Sequence, residues 1–163
     1  DNGLAVGQHG LMGKQNVYEH SVGVPLMIKA AAQHTGKKTA DLCYLIDVFP
    51  TLCDMLQLPV PQSVDGISLL SSLDGKEPVR DYLYYSYMDN QRGISDGTWK
   101  LIEYHVNGKR TTQLFNLKND PWERNDLSGQ KKYEKTIQRL REKMAEEQKR
   151  TNDTSVFWNN FSY

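Results

Sequence analysis

The sequence predicts an α+β unit over residues 80–155: a small antiparallel sheet with one long helix packed on it. Three observations predict it. Asn107-Gly108 lies between two β-prone runs, TWKLIEYHV (98–106) and TTQLFNL (111–117). Asn-Gly in that setting signals a two-residue hairpin, because both turn residues accept positive φ. The aromatic run YLYYSYM (82–88) supplies a further strand. Last, Tyr133, Ile137, Leu140 and Met144 recur at helical spacing through the otherwise charged segment 130–150, which gives a helix one apolar stripe. A sheet needs such a face to cover it.

The elements before that unit are less regular. Residues 1–23 are rich in glycine and polar groups and are expected to be a loop. VPLMIK (24–29) and DLCYLI (41–46) are short apolar runs expected to be strands, the first of them buried. AAAQHTGKKTAD between them is a surface connection. Asp47 is placed as the N-cap of a helix over VFPTLCDMLQL, with Pro50 in the first turn, where a missing N–H costs little. Val48, Leu52 and Met55 or Leu56 would be its buried stripe. A proline-rich connection follows, with one helical turn at 68–73. Asp96-Gly97 marks a tight turn. The charges of REKMAEEQKR (141–150) form the helix's solvated face. The aromatic tail SVFWNNFSY would cover a sheet edge or dock on another part of the protein. No internal repeat is present.

Composition narrows the function classes. The chain has 163 residues, 38% hydrophobic, and zero formal net charge, so it can hold a core and offers no charge argument for nucleic acid. Mean hydropathy is −0.66, and no apolar run reaches the ~20 residues that span a membrane. Cys43 and Cys53 match no zinc spacing and are expected to be buried free thiols. The triplets Asn152-Asp-Thr154 and Asn160-Phe-Ser162 are short enough to arise by chance.

The chemistry sits in the opening segment DNGLAVGQHGLMGKQNVYE. Asp1 and Asn2 offer side-chain oxygens, the donors that calcium prefers, but two adjacent ligands cannot complete a shell of six to eight. On residue types alone, an Asx turn into Gly3 is the simpler account. His9 and Lys14 lie in a loop with Gly7, Gly10 and Gly13. Lysine supplies a point charge to an oxyanion, and histidine donates to an anion or protonates a leaving group. The set suits a tetrahedral anionic ester; an exposed loop with a solvated lysine fits the same types.

The segment DNG…GQHGLMGKQNVYEHSVGVPLMI resembles the "G-K-x-x-x-Y-E … VPL" segment of type I sulfatases in the alkaline phosphatase superfamily. In order along the chain, DVFPTL…VDGISL resembles the family's "D-x-x-PT-L … DG-x-S-L" stretch. SDGTWKLIEY resembles its "G-x-WKLI" strand, and QLFNLKNDPWERNDLS its "DP-x-E-x-x-NL" ending. Each piece is weak alone; their order across residues 1–150 is specific.

That resemblance implies an α/β parent fold. Residues 1–79 would be the last segment of a mixed-sheet catalytic core, 80–155 the C-terminal subdomain with an antiparallel sheet of about four strands and one long helix across it, and 156–163 a tail. It implies calcium ligands at Asp1 and Asn2, a sulfate contact at Lys14, and less firmly a substrate-facing His9. It also implies hydrolysis of a sulfate ester, on a small molecule or glycan, by a formylglycine made in a C/S-x-P-x-R motif. No such motif, and no upstream Asp-Asp pair, occurs here, so the nucleophile is expected in a longer parent and the isolated chain is expected to be inactive. Gly23 and Ser95 stand where relatives carry basic residues. Kinship points to a periplasmic, secreted or lysosomal location and leaves the oligomeric state open. Phosphodiesterases and phosphonate monoester hydrolases of the superfamily are the alternative; a non-catalytic binding fragment is the third reading.

Other residues carry plainer expectations. His20 is expected to be structural or exposed, His34 solvated, and His105 without function. Trp99, Trp122 and the Tyr82, Tyr84, Tyr85, Tyr87 cluster are expected to pack. Asn90, Gln91 and Arg92 are expected in a loop that edges a substrate cleft.

Overall fold

The computed structural model describes residues 2–29, 36 and 38–155, so Asp1, His34 and the tail 156–163 lie outside the described residues. In chain order the elements are β1 (Ala5–Val6), β2 (Met12–Gly13), α1 (Glu19–Val22), α2 (Val48–Met55), α3 (Leu70–Leu73), β3 (Leu83–Tyr87), β4 (Gln91–Ser95), β5 (Trp99–Val106), β6 (Lys109–Asn116) and α4 (Glu134–Arg150). The chain divides into two compact units, one of Asp1–Pro25 with Tyr84–Tyr163 and one of Leu26–Leu83.

The first unit is built on a four-stranded sheet in the order β3-β4-β5-β6. The hairpin signal is fulfilled: Val106 pairs with Lys109, and Asn107 and Gly108 between them take φ of 52° and 73°, the two positive values of a type I′ turn. The Asp96 turn is held by its own carboxylate, which accepts the Thr98 and Trp99 N–H groups at 2.9 and 2.7 Å.

Both faces of the sheet are covered, which explains why Lys100, Leu101, Ile102 and Glu103 of β5 are all fully buried. Alternation sends odd and even residues to opposite faces. On the odd face lies α4, whose Ile137, Leu140 and Met144 are buried, each contributing about 1.5–3 kcal/mol by leaving water. Tyr133 packs at a tilt against Trp99, with 5.2 Å between ring centroids. The buried Glu103 carboxylate accepts from Arg141 of α4 at 2.7 Å and from Thr112 at 2.8 Å, so its charge is compensated on site. On the even face, Ile102 and Phe115 pack with Val17 and Tyr18 of the opening segment. Residues expected to form only a loop thus serve as the second cover of the sheet.

Gln91 and Arg92 correct the expectation of a cleft-edge loop. They belong to β4, and Arg92, 2% exposed, donates to Asp153 at 2.7 Å. Tyr84 donates to the same carboxylate at 2.6 Å, so this cluster ties β3 and β4 to the end of α4.

In the second unit, DLCYLI is not a strand. Asp41–Tyr44 is irregular and Leu45–Asp47 is a 3-10 turn. Asp47 decides this locally: its side chain leaves α2 uncapped and instead accepts the Tyr44 and Ile67 N–H groups at 2.7 and 2.8 Å and the Arg80 guanidinium at 2.5 and 3.0 Å. VPLMIK is likewise irregular, with Met27 91% exposed; an apolar run becomes a strand only beside a ladder partner, and none pairs with it among the described residues. α2 has Pro50 in its first turn as expected, but buries Pro50, Thr51 and Cys53 while Leu52 and Leu56 face outward. Its inward face is set by the "DG-x-S" stretch: Thr51 accepts the Leu69 N–H at 2.9 Å. A Cβ on Gly66 would lie 2.2 Å from the Ile46 carbonyl oxygen, so only glycine fits there. Cys53 is buried and Cys43 half-buried, both free.

Burial alone would raise the Asp47 carboxyl; the Arg80 guanidinium and the two amides outweigh it and hold the group below its ordinary 3.8. Asp47→Asn leaves Arg80 buried without a counter-ion and is expected to destabilise the unit by about 3–5 kcal/mol. Because the folded pKa is depressed, the carboxylate's contribution is complete above the unfolded value and lost as pH falls through the folded one. Urea unfolding between pH 6 and pH 3, with exchange of the Ile67 amide as the local probe, checks both effects. An Asn variant with unchanged stability contradicts this role for Asp47.

Candidate active-site segment

The opening segment is a small hairpin. Ala5 pairs with Gly13 and Val6 with Met12, and the connecting turn is closed by Gly7 N–H to the Leu11 carbonyl at 2.9 Å. His9 sits at the tip with φ of 52°. Continuing the register one step puts Lys14 beside Leu4, near the Asn2 end. His9 and Lys14 therefore mark opposite ends of one hairpin rather than a contacting pair. Lys14 is exposed, and Asn2 is half-buried.

After the hairpin the chain is turned inward by Asn16, whose Oδ1 accepts the Tyr18 N–H at 2.9 Å. Tyr18 is 6% exposed and donates its hydroxyl to Gln113 of β6 at 2.7 Å. This fixed ring is a platform. The His9 ring lies flat on it, with centroids 3.8 Å apart and an interplanar angle of 2°. The His20 ring follows 5.6 Å from His9. Since Asn16 Oδ1 is occupied, its Nδ2 is the donor to His20 Nε2 at 3.1 Å; on that assignment neutral His20 carries its proton on Nδ1. This contact with Asn16 agrees with the structural role expected of His20.

The His9 ring also lies beside the Trp122 backbone, which acts on its titration. Burial lowers the His9 pKa below 6.5, with Lys100 acting in the same direction and Trp122 and Asp120 opposing. Burial, then His9 and Lys100, lower His20 as well. Both imidazoles are mainly neutral at pH 7.

Beneath them lies a buried ion network that joins three of the sequence motifs. Lys100 of the WKLI strand, fully buried, places Nζ 2.8 Å from Glu19 of the Tyr-Glu pair and 3.0 Å from Glu123 of the DPWE turn. Glu123 also accepts the Glu19 N–H at 2.6 Å. Glu123 takes φ of 54°, uncommon for a residue with a Cβ, and these bonds hold it there. Burial pushes the Glu123 carboxyl up, and Lys100 opposes that. Sequence reading singled out none of the three for a role. The available signal was parity: a lysine between Trp99 and Leu101 in a strand so apolar requires a buried partner.

His9, His20, Trp122, Glu123 and Arg124 line one open cavity of about 450 Å³. Trp122, expected to pack, is 69% exposed there. Among the described residues no group of three or more His, Cys, Asp or Glu side chains is placed to hold a metal. No helix among them is long and apolar enough to cross a membrane.

A four-stranded antiparallel sheet with one long C-terminal helix matches the C-terminal subdomain of sulfatases. Comparison with known proteins agrees: the family model for the C-terminal part of N-sulphoglucosamine sulphohydrolase matches residues 7–150, and the chain belongs to that family. An N-acetylglucosamine-6-O-sulfatase of Bacteroides thetaiotaomicron is 30% identical over 94% of this chain and 30% of its own length. Human arylsulfatase K is 26% identical over 74% of this chain and 25% of its own length. A solved structure of a protein with its substrate D-glucosamine-2-N,6-O-disulfate shares 28% identity and a TM-score of 0.60 over 68% of this chain and 25% of that one. The fold alone is shared with a phosphonate monoester hydrolase of Silicibacter pomeroyi, at a TM-score of 0.72, 22% identity, and 91% and 33% coverage. The chain thus spans about a third or less of the length of these proteins.

Proposed function

We propose that this chain is the C-terminal part of a sulfatase and supplies one side of its active site, with the nucleophile and the other metal ligands in the remainder of a longer parent. The observation that carries this reading is the convergence of the family motifs. The Tyr-Glu, WKLI and DPWE pieces meet at one buried network that seats the Asn2–His20 segment on the sheet.

Lys14 binds the sulfate, placing an ammonium against oxygens that gain charge in the transition state. His9 is held flat on Tyr18, which fixes the plane of its ring. When protonated it donates to the sulfate or to the departing oxygen; when neutral it accepts a proton. Asp1 and Asn2 would contribute to a calcium site. The Asn2 amide nitrogen makes a long 3.5 Å contact with the His20 carbonyl, which leaves its oxygen as a hard donor of the kind calcium takes. A histidine in place of Asn2 would suit transition metals better, so this donor set favours the sulfatase reading over the two-metal phosphodiesterase one. Calcium at this position would supply charge neutralisation at the sulfate. This chain alone is expected to turn over no sulfate ester.

In the parent-length protein, His9→Ala is expected to lower kcat/KM for a sulfate monoester by about 10²-fold or more. Wild-type KM is expected to rise as pH climbs through the depressed His9 pKa, since only imidazolium adds a charge-assisted bond to the anion; the variant should lack that limb. A variant with wild-type kinetics and pH profile removes His9 from the site.

A further inference from the structure

We propose that Trp122 and Arg124 form a second sugar subsite beside His9, which takes the ring next to the sulfated one in an anionic glycan. This rests on the sulfatase reading above and names its substrate class. Trp122 is an aromatic residue left 69% exposed, and it shares one cavity with His9, His20 and Arg124. A large exposed indole in a concavity is a ligand-facing arrangement, because aromatic side chains otherwise bury their area. Arg124, also exposed, lines the same space.

The turn that carries both is rigid. Glu123 between them is pinned by Lys100 and the Glu19 N–H, its own N–H bonds the Asp120 carbonyl at 3.0 Å, and the Asn125 N–H bonds the Asp120 carboxylate at 2.8 Å. Trp122 and Arg124 line the same cavity as His9, so the subsite adjoins the sulfate site. A rigid aromatic platform loses little freedom on binding. The cavity, about 450 Å³, lies within the ~300–1,000 Å³ of small-ligand sites and has room beyond a sulfate group. The C–H face of a pyranose carries partial positive charge and matches the negative π face of the indole. A planar guanidinium pairs with a carboxylate or a second sulfate on that ring through paired N–H bonds.

The test is steady-state hydrolysis by the parent-length protein of three sulfate esters: a sulfated monosaccharide, the same sugar with a neutral neighbour, and the same sugar with a uronate neighbour. Trp122→Ala is expected to lower kcat/KM for both disaccharides by about 10–100-fold more than for the monosaccharide. Arg124→Gln is expected to lower only the uronate substrate, by about tenfold. Unchanged disaccharide-to-monosaccharide ratios in Trp122→Ala, or an Arg124→Gln loss equal on all three, overturn the subsite. If Trp122→Ala loses everything through misfolding, the uronate-to-neutral ratio of Arg124→Gln decides. If wild type hydrolyses none of the three, the sulfatase reading fails; calorimetric binding of the uronate disaccharide, lost in Arg124→Gln, still supports the subsite, and binding unaffected by that change overturns it.

Discussion

Lys100→Met is expected to destabilise the unit that holds the site by about 3–5 kcal/mol, the usual cost of removing one partner from a buried ion pair. Lys100 and Glu123 are both buried, at 0% and 2% exposure, so removing the ammonium leaves the Glu123 carboxylate buried without its counter-ion. The loss should exceed what methionine's fit suggests, because the cost lies in the stranded carboxylate rather than in missing packing. A second replacement shows this directly. Glu123→Leu on top of Lys100→Met removes the stranded charge, so the double variant should be less destabilised than the sum of the singles. The Glu19 amide, which donates to Glu123, should lose exchange protection in both singles. Denaturant unfolding with exchange at that amide measures all three variants. A Lys100→Met cost under about 1 kcal/mol, the range of exposed pairs, would show that the network is solvated.

Lys14→Ala has the largest expected effect on activity, a fall of about 10²–10³-fold in kcat/KM for sulfate esters by the parent-length protein. The side chain is exposed, one residue past β2, so stability should change by no more than about 0.5 kcal/mol. The separation of the two readouts is the informative part: a residue that served the fold would move both. Lys14→Arg should restore little, since a planar fork does not present charge as a compact ammonium does. Near-normal turnover in Lys14→Ala would remove this residue from the sulfate site.

The sheet and α4 were legible because their signals are local. Asn107-Gly108 declares its turn within two residues, and Ile137, Leu140 and Met144 declare a face by spacing alone. DLCYLI was misjudged because its fate rests on Asp47, whose partners Ile67 and Arg80 lie 20 and 33 residues away. VPLMIK was misjudged because apolar runs do not announce whether a ladder partner exists. Lys14 and His9 are proposed from residue type and motif, which do not reveal the Tyr18 platform or the cavity. Tyr18 resembles any buried tyrosine until Gln113, 95 residues on, takes its hydroxyl. Trp122 resembled a turn's packing residue until its exposure was known. Glu19, Lys100 and Glu123 stood inside quoted motifs as letters; their shared role exists only where the chain brings them within 3.0 Å.

The most direct measurement of the central claim compares matched sulfate and phosphonate monoesters of one leaving group, hydrolysed by the parent-length protein with calcium present. The sulfatase reading predicts a clear kcat/KM preference for the sulfate ester, which collapses in Lys14→Ala. A preference for the phosphonate ester, or sulfate hydrolysis that Lys14→Ala leaves unchanged, would contradict it.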